Sequence, residues 1–440
     1  MSGEMTTPED VFAWTDSFTN QERGTTSFDK RTFRLDRMRR LLGLFDDPDG
    51  GLRLIHVAGT KGKGSTAALA AQVLNAAGHT TGLYTSPHVS SAFERIGVAG
   101  QEPQGDLLAR IAREVRSTIE RMPAGTLPGH DSPTTFELYT LLAFFYFREA
   151  GCSEAVIETG IGGRLDATNV VMPESCMITA LDLEHTEILG DTIEQIAFEK
   201  AGIIKPGVPA FIAPQTPSAR EVFRDVGRQR GSAVAFLDDE TEELAITATR
   251  EGTDVRLRLR GEPQVRFRLS LLGEFQGENA ALVYLTLRRT RPEITLQQFE
   301  KGFLSTRLPG RMEVLGSEPA VVLDGAHTPL AVQRLLSSFQ RMFPGEAVLV
   351  FGSVAGKKPK EMARILAPAF RRIVVSTPGS FKTSDPEEVY AIFRDLNPAT
   401  ELERNPTRAL ARAREMADRR LPILVTGSFY MVSEIRRLLA

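Results

Sequence analysis

From His56 to Gly78 the chain reads HVAGTKGKGSTAALAAQVLNAAG, with Gly59, Gly62 and Gly64 set around Lys61 and Lys63 just before a stretch of helical composition. Glycines between a strand and a helix let backbone N–H groups and the positive end of the helix dipole come close to an anion. Lys63 is then placed to meet the terminal phosphates of a nucleotide, and the hydroxyl of Ser65 or Thr66 to bind magnesium or a phosphate oxygen. The strict spacing G-x-x-x-x-G-K-[ST] is not met, because Val57 occupies the first glycine position and Gly64 follows Lys63. A turn that needs glycine for positive φ, with solvated lysines, is the competing reading of these residues.

Further along, EAVIETGIGGRLDATN ends an apolar run at Glu158. A carboxylate there faces the same edge as the glycine loop and could hold Mg²⁺, an ion that takes oxygen ligands and keeps several waters; an ordinary strand-end acid is the alternative. TALDLEHTEILGDT places His185 after another apolar run, beside Asp182, Glu184 and Glu187. A lone histidine is more often a structural hydrogen-bonder than a ligand. In DTIEQIAFEKAGIIKPG, Ile193, Ile196, Ala197 and Lys200 recur at i, i+3, i+4 and i+7, so Lys200 prolongs the apolar stripe of a short helix closed by Gly202. Burial disfavours an ammonium and leaves a neutral amine, able to take up CO₂ as a carbamate and so to become an acidic metal ligand. Snorkelling to solvent is the alternative for the same lysine.

The elements that must hold these residues are short apolar runs, each followed by a helical pattern: RLIHVAG, EAVIETG, CMITALD and VPAFIAP. Parallel strands covered on both faces read this way. Between about 244 and 272 the pattern alternates instead, with Val255, Leu257 and Leu259 on one face and Arg256, Arg258 and Arg260 on the other, which predicts antiparallel, half-exposed strands. After a Pro-Gly break in STRLPGRMEVLG, the runs AVVLDGA, AVLVFGS, RIVVSTPG and PILVTGS alternate with helical stretches and give a second α/β unit. The expected architecture is α/β in two domains. Residues 1–305 form a parallel, P-loop ATPase-like sheet with an added antiparallel region, and residues 306–440 a Rossmann-like domain. Ligands of such sheets bind at the carboxyl ends of the strands, where Glu158 and the loop fall.

Bulk properties exclude several function classes. With 53 basic and 56 acidic side chains among 440 residues the net charge is −3, so no overall field favours nucleic acid or an anionic membrane. The opening MSGEMTTPEDVFAW has no basic or long apolar leader, and no apolar run approaches the roughly 18 residues of a membrane span. Cys152 and Cys176 lack Cys-x-x-Cys spacing, which suits a reducing compartment. A soluble cytoplasmic protein is expected.

Taken together, HVAGTKGKGST, TSPHV, FERI, TTFELYTLLAF, ETGIGGRLDATN, HTEILGDTIEQIAFEKAGIIKPG, GEFQGENAALV, LPGRMEV, LDGAHTP and TGSFYMVSEIRRLL occur in one order from about Leu35 to the C-terminus, and in this the chain resembles the folylpolyglutamate synthase/dihydrofolate synthase family of the Mur ligase superfamily. The resemblance implies that Gly62, Lys63, Gly64 and Ser65 bind the ATP phosphates, and that Ser86 and Glu158 hold one Mg²⁺. It implies a second Mg²⁺ between Glu158, His185 and a carbamylated Lys200, with K⁺ a further candidate cofactor. Asn279, Arg311, Asp324 and His327 would reach ATP from across a domain cleft, so that Lys63, Lys200, His185, Arg311 and His327 form the catalytic set. Thr134, Thr135, Phe136 and Glu137, with Leu165, Asp166 and Ala167, match segments that help bind the pterin. Lys61 stands where many bacterial members have Asn, Glu184 where Asp commonly precedes the histidine, and Thr328 where Asn is frequent.

The implied activity is ATP-dependent addition of L-glutamate to reduced folate or to dihydropteroate by way of an acyl phosphate. Those small molecules would be the partners of a monomer that binds neither nucleic acid nor membrane. Two rival readings are a Mur-type ligase acting on a UDP-sugar peptide and a nucleotide-binding switch without ligase chemistry.

Overall fold

The computed structural model describes residues 5–20, 34–89, 91–129, 132–379 and 382–439; the first four residues of the N-terminal stretch read above lie outside them. Seven strands, β1 (Arg53–Ala58), β2 (Thr81–Tyr84), β3 (Ile96–Val98), β4 (Glu154–Glu158), β5 (Ser175–Ile178), β6 (Ala210–Ile212) and β7 (Val234–Phe236), form a sheet of order β3-β2-β4-β1-β5-β6-β7. Only the β2–β3 pair is antiparallel. In β1 every residue after Arg53 is buried, and β4 and β5 are buried throughout, as strands covered on both faces must be.

The alternating region forms a separate three-stranded sheet of order β10-β9-β8, from β8 (Thr241–Thr249), β9 (Gly252–Leu259) and β10 (Val265–Leu269). Two residues join β8 to β9, a connection only antiparallel neighbours allow. Along β9 the predicted sides hold: Val255, Leu257 and Leu259 are buried while Arg256 and Arg258 face outward. The last sheet has six strands, β11 (Glu313–Leu315), β12 (Val321–Leu323), β13 (Val348–Phe351), β14 (Arg372–Val375), β15 (Thr400–Leu402) and β16 (Ile423–Thr426), in the order β11-β12-β16-β13-β14-β15. All are parallel neighbours except β11, which runs antiparallel to β12. The protein is thus an α/β molecule with two parallel-dominated sheets.

The chain divides into two compact units, Met1–Ala245 with Val255–Phe267 and Glu278–Thr306, and Ile246–Asp254 with Arg268–Gly277 and Arg307–Ala440. The second therefore takes in two short segments that precede residue 306. In the first unit the helix Thr135–Glu149 is apolar nearly all round, and Leu138, Leu141, Leu142, Phe144 and Phe147 are buried in the core. The helix Lys63–Ala76, which starts at the glycine loop, is equally enclosed, and Gly302 lets the helix Leu296–Ser305 approach so closely that an added Cβ would lie 2.5 Å from Val73 Cα. In the second unit Leu349, Phe351, Ile373 and Leu424 of the sheet pack with Val332, Leu335 and Phe339 of the helix Pro329–Met342.

Candidate functional site

Register brings the candidate residues of the first unit together. Val57 of β1 lies opposite Glu158 of β4, Tyr84 of β2 opposite Ile157, and Ala58 opposite Ile178 of β5. The carboxyl ends of four neighbouring strands therefore deliver Gly59, Ser86, Glu158 and Thr179 to one edge, with the order of connection diverging on either side of β1. Gly62, left-handed at φ 89°, caps the helix Lys63–Ala76. Glycine is required there, and at Gly59 a Cβ would lie 1.8 Å from Thr179 Oγ1.

Glu158 is buried at this edge, where its Oε2 accepts the Ser86 N–H at 2.9 Å and its Oε1 lies 3.8 Å from Lys63 Nζ. Lys61 Nζ lies 2.8 Å from Glu184 Oε2. Lys200, 3% exposed, donates from Nζ to Gly59 O at 2.7 Å beneath the loop. Burial, with Lys63 as the next contributor, depresses its pKa to about 7. Its helix Ile193–Ala201 ends at Gly202, but in right-handed geometry. The glycine is needed there because a Cβ would lie 2.3 Å from Arg164 Cβ, and not for a left-handed cap. His185, left-handed at φ 54°, opens a four-residue helix with its Nδ1 4.0 Å from Glu187 Oε1.

The segments expected to hold the pterin are tightly tied. Thr134 caps the helix Thr135–Glu149 in a reciprocal box with Glu137, whose carboxylate also takes both of its oxygens' contacts from Arg37 Nε at 2.9 Å. Burial raises the Glu137 pKa against the pull of Arg37. Thr135 Oγ1 donates to Thr15 O, and the Phe136 ring lies beneath Gly160, where a Cβ would come within 2.5 Å of it. Asp166, between Leu165 and Ala167, accepts the Gly160 and Ile161 N–H groups on Oδ2 and the Thr168 N–H and hydroxyl on Oδ1. Thr168 Oγ1 also lies 2.9 Å from Nε2 of His56, an imidazole that burial keeps neutral with a pKa near 3. Since Thr168 donates to Asp166, His56 donates to Thr168, which fixes its tautomer.

In the second unit Asp324 follows β12 and accepts the N–H groups of Met312 and Ala326, at 2.9 and 2.8 Å. Burial raises its pKa to about 6, opposed chiefly by Arg311. The Arg311 guanidinium stacks 4.0 Å over the Phe429 ring, which His327 meets edge-on while its Nδ1 lies 2.8 Å from Gly325 O. Asn279, expected to act from across a cleft, is placed otherwise: it belongs to the first unit, and its Oδ1 would lie 2.6 Å from a Cβ on Gly62.

Family comparisons match residues 57–287 to the Mur ligase middle domain and residues 310–429 to the Mur ligase glutamate ligase domain. The Bacillus subtilis dihydrofolate synthase/folylpolyglutamate synthase is 32% identical over 92% of this chain and 94% of its own length. The chain belongs to the folylpolyglutamate synthase/dihydrofolate synthase family of Mur ligases. A Haloferax volcanii protein named "Probable bifunctional folylpolyglutamate synthase/dihydropteroate synthase" is 35% identical over 93% of this chain, which spans only 49% of that longer protein. A crystal structure of Mycobacterium tuberculosis folylpolyglutamate synthase complexed with ADP and AMPPCP superposes with a TM-score of 0.86 at 29% identity, covering 92% of this chain and 95% of the other.

For this member of the folylpolyglutamate synthase family, the donors at the strand edge are of the kind that magnesium takes. Glu158 and the Ser86 hydroxyl are hard oxygen ligands, and among the described residues no three His, Cys, Asp or Glu side chains gather as a metal cage. Several positioning residues escaped the sequence reading. Arg37 lies on the apolar stripe of the helix Leu35–Gly43 with Met38, Leu41 and Leu42, so the signal that marked Lys200 was present there too. His56 and Thr179 gave no such signal, because their contacts are made between segments distant in sequence, and Thr168 follows Asp166 in a short turn without any periodicity to mark it.

Proposed function

We propose that this chain is an ATP-dependent ligase that joins L-glutamate to the carboxyl group of a reduced folate or of dihydropteroate. The observation that carries this is the convergence of the glycine loop, Lys63, Glu158 and the buried Lys200 at one strand edge. The acceptor's carboxylate attacks the γ-phosphorus of ATP, breaking its bond to ADP and giving an acyl phosphate, and the α-amine of glutamate then attacks the acyl carbon, loses a proton and displaces phosphate. Carboxylate is a poor electrophile, which is why it is phosphorylated first. Bringing two anions together requires positive charge at the transferring phosphoryl group, which Lys63 and the loop N–H groups supply.

Ser86 and Glu158 would hold a Mg²⁺, and Glu158, His185 and a carbamylated Lys200 a second; the ions would neutralise phosphate charge as it develops. Lys200 is suited to carbamylation because its amine is neutral for much of the time near pH 7. Arg311 would supply positive charge and His327 an imidazole hydrogen-bonding group from residues 306–440, and Asn279 stands beside the loop. Thr134–Glu137 and Leu165–Ala167 shape the pterin site through the ties described, and the protein works as a cytoplasmic monomer.

The test is ATP-dependent incorporation of labelled L-glutamate into tetrahydrofolate and into dihydropteroate, with UDP-sugar peptides as controls. Incorporation into one or both pterins, lost by about 10²-fold or more in Lys63→Ala and Glu158→Ala, is expected. Transfer to the UDP-sugar acceptor alone, or full turnover in either variant, contradicts the proposal.

A further inference from the structure

We infer that Lys61 and Glu184 act as a positioning pair that fastens the phosphate loop to the segment bearing His185 and thereby sets nucleotide affinity. The inference rests on the phosphate-loop reading above and adds a role for two residues outside the proposed ligand set. Their charged groups meet at 2.8 Å although 123 residues separate them, with side chains 22% and 11% exposed. Exposed ion pairs contribute little, whereas breaking a largely buried one strands a charge away from water.

The pair completes a row of fastenings. Gly59 is pressed against Thr179. The N–H groups of Thr60 and Lys61 both reach Ala180 O at 3.0 Å, and Thr60 Oγ1 donates to Asp182 O at 3.3 Å. These backbone contacts stop short of His185, and the Lys61–Glu184 contact carries the row to the residue immediately before it. The two lysines of the loop are thus divided in task. Lys63 faces Glu158 at the end of β4, while Lys61 is turned to the segment after β5, which lowers the repulsion between two ammonium groups so close in sequence. A loop held in its binding geometry spends less free energy on ordering when the nucleotide arrives, so loss of the pair should weaken binding and leave the chemical step alone.

The experiment compares full-length wild type with Lys61→Met, Glu184→Met, the double methionine variant and the charge-swapped Lys61→Glu/Glu184→Lys. Affinity for a fluorescent ATP analogue is titrated without turnover, and kcat is measured from ADP release with tetrahydrofolate and glutamate. Each single change is expected to raise the nucleotide Kd about tenfold with kcat within about twofold, the double to be no worse than either single, and the swap to recover most of the affinity. Singles whose effects multiply in the double overturn the inference. So does a Glu184→Met of unchanged affinity beside a weakened Lys61→Met, which would put Lys61 on the phosphates directly. If the swapped chain does not fold, the coupling in the methionine cycle decides alone. Wild type that binds nucleotide but transfers no glutamate refutes the ligase reading and leaves this test standing; wild type that binds no nucleotide overturns both.

Discussion

Lys200 is held where an ammonium is costly, and that cost has a pH signature. In the folded chain its pKa is near 7, whereas an unfolded lysine keeps its proton to about 10.4, so between these values the unfolded state binds more protons and stability rises with pH. Lys200→Met removes this contribution. The variant should therefore be more stable than wild type at pH 7 in bicarbonate-free buffer, with the advantage shrinking as pH approaches 10; urea midpoints across that range check it, and a constant gap would mean that the amine stays charged. Asp324 works in the opposite sense for activity. Its carboxylate holds the N–H of Met312, next to Arg311, and attracts the Arg311 guanidinium most strongly while ionised, and its pKa lies near 6. As pH falls through 6 the carboxyl takes a proton, gives up an acceptor and loosens Arg311, so kcat/KM should decline on an acid limb that Asp324→Asn lacks. A pH profile that keeps its inflection in the variant would assign the limb elsewhere.

The helix Lys63–Ala76 presents the phosphate loop, and its position depends on close packing against the helix Leu296–Ser305 at Gly302. A Cβ there would lie 2.6 Å from Val73 N and 2.5 Å from its Cα, contacts with backbone that cannot rotate away. Gly302→Ala should destabilise the protein by about 1–3 kcal/mol in urea unfolding and displace the loop's helix. Elements of this kind were legible in the sequence wherever composition is one-sided. The buried runs of β1, β4, β13 and β16, the alternation along β9 and the stripe that exposed Lys200 all follow from local periodicity. Short edge strands such as β3 and β7 have three residues each, too few for a period, and were not read. The run CMITALD stops being strand at Ile178 because Ala180 turns to accept the loop's N–H groups, a long-range demand invisible in the run itself. Glu158 was legible as a strand-end acid facing the glycine loop, and the resemblance joined it to Ser86; the register of β1, β2 and β4 supplies the physical reason that they meet.

At the scale of the molecule, the proposed reaction divides labour between residues 1–305, which hold the phosphate loop, and residues 306–440, which hold Arg311 and His327. Arg311 is stacked on Phe429 and adjoins Asp324, so neighbours within its own unit set the direction of its guanidinium. An arginine set in this way serves the transferring phosphoryl group more than the resting nucleotide, because stabilisation that appears only in the transition state raises kcat and not affinity. Arg311→Ala should then keep its affinity for an ATP analogue within about threefold of wild type while losing about 10²-fold or more in kcat. Lys63→Ala, by contrast, should lose both, since in the proposed reaction Lys63 meets the phosphates in the ground state as well. Titration with a fluorescent ATP analogue beside steady-state ADP release separates the two patterns. Equal loss of affinity in both variants would mean that Arg311 helps bind the nucleotide from the outset.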